Sequence, residues 1–341
     1  MNIIKYLAVT AFLLLASVSA NAQSGQRANP FKGSKSWAYQ LTNLGPEQQK
    51  RIIESDYDVV VVDYAQSLAT DLVETPLSPD QVAAMKRKPD GSRRLVIAYL
   101  SIGEGEDNRY YWPPEWNKKR PAWMKAESKE WKGNYLVEYW NPDWQKIIFG
   151  TPNAYVDRIL KGGFDGFYID RADAYYRFGD TKQARDRMSD FLVRLIADIR
   201  SKKPDAAIMM QNAEELLDRP AVVAAIDAIA KEDLLFGITH REELNKKVDI
   251  DYSTKLLVDA QKAGKMIFVV EYLRNAKNIE TAKARMKELD FVLYYGPRGL
   301  FEIMKPGETP AAPPPRTTLE RVKDKLPFQK SKPTPGARNV R

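Results

Sequence analysis

The chain of 341 residues contains no cysteine and one histidine, His240. Without cysteine there is no disulfide, no thiol nucleophile, no cysteine-based zinc site, no iron–sulfur cluster and no c-type haem attachment. With one histidine, a Ser-His-Asp triad survives only if His240 is its base, and no Gly-x-Ser-x-Gly elbow accompanies it. A lone histidine is more often a surface or packing residue. A membrane-spanning apolar run is missing too. The most apolar stretch, residues 6–18, is too short to cross a bilayer. Flanked by Lys5 and by Ala20-Asn21-Ala22, it reads as a secretory signal peptide over residues 1–22, with the mature chain beginning at Gln23. The protein is therefore expected to be secreted or periplasmic, with no transmembrane anchor after cleavage, and to rely on a large apolar core in place of disulfides.

The formal charge of +8 is unevenly placed. Residues 305–341 hold nine Lys/Arg against three Asp/Glu, a net of +6, so the body of the chain is close to neutral. That weakens a nucleic-acid reading. The same stretch contains Pro313-Pro-Pro315 and Pro333-Thr-Pro335 and reads as an extended tail, a cationic tether suited to an anionic envelope polymer. Residues 23–35 are polar, with Gly and Ser, and read as a linker.

What is abundant is continuous apolar strand. Strands are predicted over 37–41, 59–64, 95–100, 166–170, 207–211, 226–230, 266–271 and 291–294. Helices are predicted over 78–88, opened by the capping box Ser78-Pro-Asp-Gln81, and over 143–160, 181–202, 252–263 and 278–289. Uninterrupted apolar strands indicate a sheet covered on both faces. Strands alternating with helices over residues 36–304 predict a (β/α)8 TIM barrel in one domain. An open doubly wound sheet is the rival. It would want a phosphate-binding glycine loop after its first strand, and Leu41-Thr-Asn-Leu-Gly45 is not one.

Several strands end abruptly in acids or amides. Gly163-Phe-Asp-Gly-Phe-Tyr-Ile-Asp170 is followed by Asp173 and Tyr175, and Val59-Val-Val-Val runs into Asp63. Ile267-Phe-Val-Val runs into Glu271 and Tyr272, and Glu232 closes a looser example. In a barrel these ends converge on one mouth, together with Tyr39, Gln40, the Gly103–Arg109 loop, Gln211, Asn212 and Glu215. Each alone is as well explained by a helix cap or a loop ion pair, but the set exceeds what capping requires. The loop after the third strand carries Glu104, Glu106 and Asp107, which would repel phosphate, and Arg109, which can hold a neighbouring carboxylate ionised. Tyr110, Tyr111, Trp112, Trp116, Trp123 and Trp131 follow, suited equally to stacking on sugar rings or to packing a long loop.

With these residues in view, the chain resembles the endo-α-1,4-polygalactosaminidase family, glycoside hydrolase family 114, and its bacterial and archaeal relatives once labelled as related to cysteinyl-tRNA synthetases. The resemblance spans residues 37–303. It rests on Trp37-Ala-Tyr-Gln-Leu41, on Ala98-Tyr99-Leu-Ser-Ile-Gly103 with Glu106-Asp107-x-Arg109, and on Gly163-Phe-Asp-Gly166 leading to Asp170-x-x-Asp173-x-Tyr175. Asn212 with Glu215, and Glu232-Asp-Leu-Leu-Phe236, complete it. The resemblance implies a (β/α)8 barrel and cleavage of α-1,4 bonds in galactosamine-containing polysaccharide, without a cofactor. It implies Asp170 and Glu232 as the catalytic carboxylates. The substrate-binding set is then Tyr39, Asp63, Tyr99, Glu104, Glu106, Arg109, Asp173, Tyr175, Asn212, Glu215, Glu271 and Tyr272. Two positions depart from the family pattern: Arg171 stands where Asn is usual, and Lys231 precedes Glu232.

Glycoside hydrolysis needs one protonated and one ionised carboxyl group. Tyr175 and Asn212 are expected as donors to Asp170, keeping it ionised, which leaves Glu232 as the acid. Two other classes stay open at this point. One is a non-catalytic carbohydrate-binding protein on the same barrel. The other is a metal-dependent hydrolase using Asp63, Asp170 and Glu271.

Overall fold

The computed structural model describes residues 27–66, 74–129, 131–305, 308 and 310. The expected signal peptide, and the expected tail apart from Lys305, Glu308 and Pro310, lie outside the described residues.

Eight parallel strands form one sheet: β1 (Trp37–Gln40), β2 (Val59–Val62), β3 (Leu95–Ser101), β7 (Gly166–Asp170), β8 (Ala207–Gln211), β9 (Ala228–Glu232), β10 (Met266–Glu271) and β11 (Val292–Tyr295). Their order, β1-β2-β3-β7-β8-β9-β10-β11, brings the first strand round to the last, so the sheet is nearly closed into a TIM barrel. The seam is tied by the segment after β11. Leu300 O accepts from Leu41 N at 2.9 Å and from Thr42 N at 3.0 Å, and Phe301 O accepts from Gln40 Nε2 at 3.0 Å.

The strands are as apolar as expected because helices cover their outer face. All four valines of β2 are buried. The covering helices are α1 (Pro46–Ile53), α2 (Pro79–Met85), α3 (Pro142–Ile148), α4 (Tyr155–Lys161), α5 (Lys182–Lys202), α6 (Pro220–Ala225), α7 (Lys247–Lys262) and α8 (Ala276–Leu289). Ser78 and Gln81 form the reciprocal capping box at α2. Thr181 caps α5, which buries Met188, Leu192, Leu195 and Ile199 along one stripe.

Four expectations are corrected. The helix predicted over 143–160 is two helices, because Pro152 lacks an N–H and disfavours helix before it, and Gly150 and Asn153 take φ of +80° and +70°. The helix predicted over 252–263 begins at Lys247. The Gly103–Arg109 segment is not simply a loop: β4 (Glu104–Glu106) joins β5 (Met124–Glu127) and β6 (Asn134–Val137) in a three-stranded antiparallel sheet inserted after β3. Finally, residues 27–35 are docked and not a free linker. Phe31 is fully buried against Phe268 at the barrel's lower end, Asn29 Nδ2 donates to Asp227 O at 2.7 Å, and Arg27 pairs with Asp227.

The aromatic run after β4 packs the insertion. Trp112 meets Trp116 at 5.3 Å, Trp116 meets Trp123 at 5.4 Å, and Trp123 meets Trp144 at 5.7 Å. Trp131 is the exception, with half of its surface in solvent.

Gly103 sets how closely the insertion can lie on the loop after β7. A Cβ there would stand 2.3 Å from the Arg171 carbonyl oxygen and 2.4 Å from Ala174 Cβ. Backbone cannot swing away as a long side chain can, so Gly103→Ala is expected to cost about 1–3 kcal/mol. A lower midpoint in urea unfolding checks this, and an unchanged midpoint refutes it.

Candidate active site

In parallel strands, register partners point to the same face. Tyr99 pairs with Tyr168 and Ser101 with Asp170, Tyr168 pairs with Met209, Gln211 with Ala230, and Glu232 with Val270. The inward face is marked by Trp37, which stacks on Tyr39 at 6.1 Å and on Tyr168 at 6.4 Å and meets Phe268 at 5.5 Å. Counting up each strand by twos brings Asp170, Gln211, Glu232 and Tyr272 to the top of that inward face. They stand over a floor of Tyr39 and Tyr168, whose rings are 4.9 Å apart. Asp170 and Glu232 end β7 and β9, so β8 separates them, about 10 Å between backbones at normal strand spacing.

Asp170 Oδ2 accepts from Tyr99 OH at 2.8 Å and Oδ1 from Arg171 N at 2.6 Å. Although Asp170 retains some solvent contact, loss of water around its carboxyl pushes it up to about 8. The Arg171 guanidinium opposes that shift, and Glu232 and Asp173 add to it. Glu232 accepts from Tyr272 OH on one oxygen and from Asn212 Nδ2, at 3.2 Å, on the other. Its own N–H donates to Asn212 Oδ1 at 3.1 Å. Asn212 reaches both groups from a left-handed backbone, φ +51°, a conformation that Asn tolerates well.

The donors expected at Asp170 are thus engaged elsewhere. Asn212 serves Glu232, and Tyr175 OH donates to Glu215 Oε2 at 2.9 Å. Lys231, on the outward alternation, reaches Glu214 at 3.1 Å. Arg171, also left-handed at φ +60°, is held by Glu104 at 2.7 Å and lies 3.8 Å from Asp173. It sets a fixed cation beside Asp170.

Asp63, Glu106 and Arg109 form a buried ion cluster that grips the insertion. Arg109 bonds both oxygens of Asp63 at 2.9 and 2.8 Å, Glu106 at 2.6 Å and Glu74 at 3.2 Å, under the rings of Tyr64 and Tyr155. Burial pushes the Glu106 carboxyl up, against the pull of Arg109.

Glu271 alternates to the outer face. Fully buried, it accepts from Leu235 N at 2.7 Å and Phe236 N at 3.3 Å, holding the loop after β9. Its side chain is engaged beneath the mouth and not in it. Asp63, Asp170 and Glu271 therefore serve three separate sets of partners. His240 is exposed in the loop after β9.

Sequence reasoning missed one clamp. Arg298, in the loop after β11, binds Asp233 at 2.7 Å and lies over the Tyr272 ring at 4.4 Å, bracing the tyrosine that holds Glu232. Its only signal was a basic residue closely following the last predicted strand.

The family model for glycoside-hydrolase family GH114 matches residues 17–304. An uncharacterized protein of Deinococcus radiodurans is 32% identical over 269 residues, covering 79% of this chain and 82% of its own length. The glycoside hydrolase domain of PelA from Pseudomonas aeruginosa superposes with a TM-score of 0.60 at 19% identity, covering 82% of this chain and all of that domain. Aspergillus fumigatus Ega3, solved with galactosamine, superposes with a TM-score of 0.54 at 15% identity, covering 82% of this chain and 98% of its own. At such identities the two structures speak for the fold.

Proposed function

This chain belongs to glycoside-hydrolase family GH114, and from that premise we propose that it cleaves α-1,4 bonds in galactosamine-containing polysaccharide, with Asp170 and Glu232 as the reacting pair, on an exported protein. The observation that carries the reading is the pairing itself. Two carboxyl groups share the inward face of the barrel's upper end, over an aromatic floor, and lie within each other's electrostatic field. Galactosamine bound to the similarly folded Ega3 supports the choice of sugar. So does the acidity around the pair: Glu104, Asp173, Glu215 and Asp233 outnumber Arg171, Lys231 and Arg298, which favours a cationic ligand.

Hydrolysis breaks the bond from the anomeric carbon to the leaving oxygen, which takes a proton from the acid. The ionised carboxylate meets the anomeric carbon, directly or through a water. In the protein alone Asp170 is the group that burial pushes up, so it holds a proton at neutral pH. A bound ammonium group adds the positive charge that draws a carboxyl back down. With the ammonium nearer Asp170, that proton passes across to Glu232, so Asp170 becomes the ionised partner, Glu232 the acid, and the substrate's charge sets the roles.

A binding measurement tests this. Below about 8 the proton stays within the pair, so binding of a galactosamine oligomer exchanges none with solvent. At pH around 6.5 the calorimetric binding heat is therefore expected to be independent of the buffer's ionisation heat. A heat that varies with the buffer's ionisation heat, as for about one proton released, would refute the charge-set roles. The activity itself is tested by incubation with galactosamine-rich, N-acetylated and neutral glycans and mass spectrometry of the products. Failure to cut any amino-sugar polymer overturns the enzymatic reading, and binding without cleavage returns the carbohydrate-binding alternative.

A further inference from the structure

We propose that Gln211 is a substrate-binding residue whose side-chain amide hydrogen-bonds a ring hydroxyl or amine of the sugar lying between Asp170 and Glu232. The proposal rests on the functional reading above and deepens it. Gln211 ends β8, the strand between those carrying the two acids, and its register partner Ala230 puts it on the same inward face. It is only 2% exposed, yet among the described residues Oε1 has no hydrogen-bond partner.

A buried amide oxygen without a donor costs about 1–3 kcal/mol, so a protein keeps one only where something else compensates. Among the described residues no neighbour is bonded to Oε1 to supply that compensation. Met209 and Ala230 on this face are apolar, and Asn212, the next amide along, is committed to Glu232. A half-turn about the last side-chain bond exchanges Oε1 and Nε2, so either a donor or an acceptor can be offered into the mouth. A sugar substituent bearing O–H or N–H, held between the two acids, matches that need. The chemistry is common to hydroxyl and amine.

The test is Gln211→Met, which keeps length and removes both polar ends. A structural amide and a ligand-binding amide predict opposite pairs of results. If Gln211 waits for substrate, Met relieves an unpaired buried group. The melting temperature then holds or rises, while kcat/KM on galactosamine oligomers falls roughly 10- to 100-fold, most of it in KM if the contact is made in the ground state. Retention of kcat/KM within about threefold of wild type overturns the proposal. A fall in melting temperature also overturns it, because it assigns the amide to the protein's own internal network. If the unmodified protein cleaves none of the glycans, the functional reading fails first. Calorimetric affinity for galactosamine oligomers, unmodified against Gln211→Met, then judges the amide alone, and equal or absent binding overturns it. Comparing galactosamine with galactose oligomers in the same assay distinguishes amine from hydroxyl as the group bound.

Discussion

Asp170→Asn and Glu232→Gln are each expected to reduce hydrolysis by about three orders of magnitude or more while leaving the barrel folded. Each side chain stands at the top of its strand, partly open to solvent, so the amide opens no cavity. The two should differ in stability. The unfolded Asp170 carboxyl loses its proton near the usual carboxylate value, but the folded one holds it up to about 8. Between those values the folded state binds more protons, so Asp170 costs stability as pH rises. An amide cannot ionise and avoids that cost. Asp170→Asn should therefore melt higher than wild type at pH 8 and about equally at pH 4. Glu232→Gln should instead weaken the bonds to Tyr272 and Asn212 that hold the site together. Retention of more than about a tenth of wild-type turnover by either variant, a loss of only ~1.4 kcal/mol, removes that residue from the reacting pair. A melting curve for Asp170→Asn that falls below wild type at pH 8 refutes the electrostatic account.

The second large effect is expected at Arg109. Its guanidinium is nearly inaccessible and contacts the buried carboxylates of Asp63, Glu74 and Glu106. Arg109→Leu leaves them clustered without a cation. Breaking a buried pair in this way typically costs about 3–5 kcal/mol, enough to leave a marginal domain largely unfolded. Arg109→Lys should rescue little, because an ammonium group cannot bond Asp63 through two parallel N–H groups while also reaching Glu106. The pH dependence separates charge from packing. In Arg109→Leu the orphaned carboxyls favour protons, so the variant should recover stability as pH falls from 8 towards 5. Urea unfolding at the two pH values reads this directly. Equal destabilisation at both, or wild-type stability at pH 8, refutes the cluster's role.

Much of the frame was legible in the chain. Continuous apolar runs such as Val59–Val62 show that both sheet faces are covered, and alternation with capped helices then favours a barrel. Asp170 and Glu232 were legible as acids ending apolar strands. The insertion was not legible. Glu104, Gly105 and Glu106 have no apolar period of their own, and they form a strand only because β6 pairs with them. The docked segment at Phe31 was hidden by its polar neighbours, since one aromatic residue gives no periodic signal.

The partners of the acids lay further out of reach. That Tyr175 serves Glu215, that Asn212 serves Glu232 and that Asp170 is held by Tyr99 depend on angles between loops from different strands. Residues far apart in the chain meet there. Glu271 makes the same point from one strand: its position beside Tyr272 is plain in the sequence, but only the pleat, set by register with β9 and β11, turns one inward to Glu232 and the other outward to the Leu235 and Phe236 amides. By itself the sequence determined the strand–helix alternation, the absence of thiol chemistry and the acids available at strand ends, because those follow from local pattern and composition. Only the tertiary structure decided which acid meets which donor, and so where the proton rests, because protonation follows burial and neighbouring charge in space.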